Sequence, residues 1–225
     1  MFCRVLTQII NSAKSSNAVV RTNSIHLFKN IITRAKSDDL LSNSVTELLS
    51  LPKSGKTAGP DHRVALYSML GFLTPSSSVS ASIVEASTPL LARETHEAAV
   101  AVLAAGLPLQ LVFLLKSDMP IPAETTVLIV KEMSNSKPGV RRAFASLAGR
   151  IFFETGIDFG FGKAFEFATA MLPAFENSLK AIAGNPLNSS SGPLEGYIAV
   201  AALLGPLAGT GKFGMFMRSR DHGIF

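Results

Sequence analysis

The chain of 225 residues has one cysteine, no tryptophan and charges on only 16% of its positions. A lone Cys3 excludes a disulfide framework and a multi-cysteine zinc module. An apolar content of 47% with a mean hydropathy of +0.33 excludes an intrinsically disordered chain. Acidic residues are missing from the start: the first is Asp38, and Arg4, Lys14, Arg21, Lys29, Arg34 and Lys36 precede it among serines. Through Val64 there are nine Lys/Arg against four Asp/Glu, and beyond it twelve against twelve, so the net +5 is N-terminal. Such a stretch has the composition of a mitochondrial presequence or of a local polyanion-binding surface. A secretory signal does not fit, because Asn11 and Lys14 cut short the apolar run after Arg4.

Long apolar runs are also scarce. Ala98 to Leu115 is free of charge for eighteen residues, near the lower limit for crossing a bilayer. Gly106, Pro108 and Gln110 interrupt it, which predicts two shorter buried helices meeting at Gly106 and no membrane span.

What is present is helical periodicity. Phe2, Val5, Leu6 and Ile9 make one face, and Val20, Leu27, Phe28 and Ile31 the next. Leu41, Val45, Leu48 and Leu49 follow, then Leu66, Met69, Leu70 and Leu73, then Val140, Phe144, Leu147, Ala148 and Ile151, then Phe165 through Ile182. Pro60, Pro108, Pro122, Pro138 and Pro193 fall where a first helical turn tolerates a missing N–H, with Asp61, Glu124 and Glu195 in first turns. The predicted helices pair as 1–14 with 17–36, 39–52 with 60–74, 79–93 with 95–117, 122–135 with 138–155, and 161–184 with 192–207.

Successive pairs start roughly 38 to 43 residues apart. That period is the one of HEAT and armadillo repeats. The expected fold is all-α, a HEAT/armadillo-type α-solenoid of about five helical hairpins (1–36, 39–74, 79–117, 122–155, 161–207) forming one segment over 1–213, with an irregular tail at 214–225. A hairpin of this kind buries its apolar face only by stacking on its neighbours. Low charge then reads as repeats covered on both sides, and the absence of polar caps predicts a segment of a longer solenoid.

Motifs for chemistry fail at one position or more. Gly55-Lys56-Thr57 ends like a phosphate-binding loop, but Ser50 replaces the leading glycine; Gly209-Thr210-Gly211-Lys212 has Pro206 there and Phe213 in place of the hydroxyl. His96-Glu97 lacks the second histidine, Val100 standing in its place. Asp158-Phe159-Gly160 has no kinase loops around it, and Phe165 replaces the last glycine of a dinucleotide fingerprint. Asp38-Asp39 reads as a helix start, and His26, His62 and His222 form no ligand spacing. No enzyme, cofactor, metal or small-molecule substrate is predicted. Two turn-rich loops, Pro52 to Pro60 and Asn185 to Pro193, link helices; the first carries Lys53 and Lys56.

The stretch LPKSGKTAGPDHRVALYSML (Leu51 to Leu70) resembles the N-terminal HEAT region of the fungal general control translational activator, the family that activates the amino-acid-starvation kinase of initiation factor 2-alpha. The likeness continues through PLLARETHEAAVAVLAAGL, KPGVRRAFASLAGRIFFE and GYIAVAALLGPLAGTGKF, covering roughly residues 20 to 213. The resemblance implies a cytoplasmic, ribosome-associated, non-enzymatic scaffold. It implies a sensor kinase and an ATP-binding-cassette partner only through downstream regions that this chain does not contain, and it transfers no site residues. With the charge asymmetry it predicts a ribosome contact at Arg21, Lys29, Arg34, Lys36, Lys53 and Lys56. The competing expectation is a mitochondrial or membrane-associated helical protein with a basic presequence.

Overall fold

A computed structural model of the chain describes residues 2–34, 43–44, 46–48, 59–133 and 135–155. All regular structure among them is helical: α1 (Phe2–Ser12), α2 (Ala18–Ile32), α3 (Pro60–Leu70), α4 (Ser77–Arg93), α5 (Glu97–Lys116), α6 (Ala123–Glu132) and α7 (Pro138–Thr155). The chain divides into two compact units, Met1–Phe113 and Leu114–Phe225.

In the first unit, α1 and α2 pack as a hairpin, and α2 packs on α3. Helix α1 buries Leu6, Ile9 and Ile10, and Ala13 just past its end is buried too, while Val5 stays exposed. Asn17 starts α2: its backbone is extended and its side-chain oxygen accepts the Val19 and Val20 N–H groups, two donors the first turn leaves orphaned. The face expected for α2 is rotated in the structure. Ser24, Phe28 and Ile32 are buried, whereas Val20 and Leu27 are exposed. The apolar arc of α2 is wider than its contact, and Ser24 joins the buried side because its hydroxyl donates to the Val20 carbonyl.

Pro60 opens α3 behind Gly59, with Asp61 in the first turn, and Leu66, Met69, Leu70 and the following Leu73 are buried as their spacing predicts. The two short helices expected to meet at Gly106 are instead one helix, α5, and Pro108 lies inside it, not at its start. Proline in a helix interior costs about 3 kcal/mol. Burial of Ala99, Val100, Leu103, Ala104, Leu107 and Leu111 along α5 outweighs that cost. Pro89 sits inside α4 in the same way.

In the second unit, α6 packs on α7. Pro122 precedes α6 and Pro138 opens α7, whose Val140, Phe144, Leu147, Ala148 and Ile151 are all buried on the predicted face. The helices expected over 161–184 and 192–207, the glycine motifs at 55–57 and 209–212, Asp158 to Gly162, and the Asn185 to Pro193 loop lie outside the described residues.

Candidate functional site

Of the six cations expected to contact a polyanion, three can be placed. Lys36, Lys53 and Lys56 lie outside the described residues. Arg21 is turned inward, its side chain only 15% exposed. Its Nη1 donates to the carbonyls of Ser15 and Ser16 at 2.9 Å each, and its Nη2 donates to Asp61 Oδ2 at 3.0 Å. These bonds use the planar fork of a guanidinium to close the α1–α2 turn and tie α2 to α3. Lys29 is exposed and holds its Nζ 5.0 Å from the centre of the Phe72 ring, a cation–π contact. Arg34 is exposed just past α2, and so is Arg4 on α1, while Lys14 donates to Asn11 Oδ1 at 2.7 Å. Among the described residues of this hairpin and its end, the cations exposed to solvent are therefore Arg4, Lys29 and Arg34.

The Arg21 arrangement occurs twice. Arg141 Nη1 donates to the carbonyls of Asn135 and Ser136 at 2.7 and 2.8 Å, again the residues six and five places back, at the start of α7. Arg141 is only 4% exposed, and its Nε has no hydrogen-bond partner. The sequences SSNAVVR and NSKPGVR around the two arginines align without a gap. A second pairing accompanies the Arg21 tie: Thr7 Oγ1 donates to Glu47 Oε2 at 2.7 Å. Both bonds, Thr7 to Glu47 and Arg21 to Asp61, join residues 40 apart.

A partly buried ionic knot sits where α4 ends. Arg63 donates from Nε to Glu94 Oε2 at 2.7 Å and from Nη2 to Oε1 at 3.0 Å, and the Tyr67 hydroxyl donates to Oε2 at 3.5 Å. The Thr95 and His96 N–H groups donate to Glu94 Oε1 at 3.0 Å, so one carboxylate also opens the approach to α5. The Glu94 side chain is 4% exposed. Burial pushes its carboxyl up, but the Arg63 and His96 hydrogen bonds, the Arg63 charge and the Thr95 N–H outweigh burial and hold it below its ordinary value. The hydrogen bond that Arg63 donates to Glu94 raises Arg63 against its desolvation. Burial first, then the Glu94 charge, pushes the Tyr67 phenol up to about 12. A perturbed trio of this kind is a candidate for chemistry. Here each member is used by the others, and among the described residues no group of His, Cys, Asp and Glu is placed to hold a metal.

Helix α5 is long and apolar enough to cross a membrane by length and composition alone. Gln110 gives it a polar tie inside the protein: its Nε2 donates to the Leu73 carbonyl at 2.7 Å and its Oε1 accepts from Ser80 Oγ at 2.8 Å, all buried. With 61% of its apolar window buried inside the protein, α5 behaves as a core helix.

The family model described as General control nonderepressible 1 (Gcn1) N-terminal matches residues 60–219. The chain belongs to the Gcn1 N-terminal family. The match begins at Pro60, inside the first of the resembling blocks, and runs on to residue 219, past Phe213. Helices α3 to α7 all lie in the matched part, whereas the acid-free α1–α2 hairpin precedes it. Neither a curated protein nor a solved structure matches the chain. Membership of the Gcn1 N-terminal family fits a Gcn1-like translational activator region and a link to translation regulation.

Proposed function

We propose that this chain is a non-enzymatic HEAT/armadillo-type α-solenoid scaffold, cytoplasmic, and that its basic N-terminal surface contributes to the ribosome association of a Gcn1-like translational activator that stimulates the starvation-responsive kinase. The observation that carries the reading is the pair of bonds from Thr7 to Glu47 and from Arg21 to Asp61. Equal spacing of 40 at two ties supports stacking of equivalent positions in successive repeats, the register a solenoid of that period requires. Arg21 and Arg141 support it further, since they repeat one local geometry 120 residues apart, three periods of forty. The exposed charge of Arg4, Lys29 and Arg34 favours a polyanionic assembly as partner.

Sedimentation with ribosomes over a range of salt tests this. Reversing Arg4, Lys29 and Arg34 to Glu is expected to release the chain at lower salt, because each lost phosphate contact lowers the slope of log affinity against log salt by about one. Unchanged association of a folded triple variant would exclude this surface.

A further inference from the structure

We draw no further inference here: the strongest candidate, the Arg141 side chain buried at the start of α7 with its Nε unpartnered, carries nothing because its Nη1 is already spent on the Asn135 and Ser136 carbonyls and nothing in the structure shows what group faces the Nε.

Discussion

The backbones of Gly71, just past α3, and Gly106, in the middle of α5, meet so closely that a Cβ has no room on Gly106 and only a tight fit on Gly71. A Cβ built on Gly106 would lie 2.9 Å from Gly71 Cα and 3.4 Å from its nitrogen; one on Gly71 would lie 3.2 Å from Gly106 Cα. Gly106 therefore allows α5 to pass close to the end of α3, and does not break it.

Gly106→Ala sets two effects against each other. Alanine favours a helix interior over glycine by about 1 kcal/mol. The methyl, however, meets rigid backbone at a distance that forces a shift, and overpacking of this kind costs roughly 1–3 kcal/mol. Net destabilisation is expected, read as a lower urea midpoint; a stabilised variant would show that the approach is looser than it stands here.

Glu94 makes stability depend on acid. Its carboxyl is held below the ordinary 4.5, so its contribution is complete above about that pH and is lost as pH falls through the lower folded value. Hydrogen bonds to charged groups are worth roughly 1.5–3 kcal/mol, and Glu94→Gln is expected to cost about 2 kcal/mol at neutral pH and much less near pH 3. Denaturant titrations of both proteins at the two pH values check this, the difference between them shrinking on acidification.

Gln110→Leu keeps the apolar character of α5 but orphans the Leu73 carbonyl and the Ser80 hydroxyl. Leaving buried polar groups without partners costs about 1–3 kcal/mol. Thermal unfolding should show the loss even though the substitution raises hydrophobicity, and Ser80→Ala with Gln110→Leu should recover part of it.

Arg21 and Arg141 serve the backbone more than they serve charge. Arg21→Lys and Arg141→Lys each keep the charge and lose the fork, with an expected cost of about 2 kcal/mol. Asp61→Asn should cost under about 1 kcal/mol, because Asp61 is 74% exposed and its ion pair is screened by water. An unfolding midpoint for Asp61→Asn lower than that of either arginine variant would reverse this assignment.

Helix positions were legible wherever spacing and punctuation agreed, as for α7, where Pro138 marks the start and five apolar residues define the buried face. The face of α2 was legible only within a broad arc, because Val20, Leu27 and Phe28 are all apolar and only contact with neighbours selects Phe28. Gly106 and Pro108 carry a strong local signal for a break. That signal was overruled by the packing of α5 on residues remote in sequence, which no local propensity contains.

The same division holds for the candidate surface. Residue order and spacing alone determined that the N-terminal stretch is basic and free of acid and where the described helices lie, since these depend only on which residues occur and how far apart they stand. Tertiary structure alone decided which cations remain available. Arg21 reads like Lys29 in the sequence, but the fold brings the Ser15 and Ser16 carbonyls and Asp61 within reach of its guanidinium, whereas it leaves Lys29 exposed over the Phe72 ring and Arg34 exposed just past α2. A charge is free or committed according to what lies within about 3 Å of it, and that distance is set by packing between segments far apart along the chain.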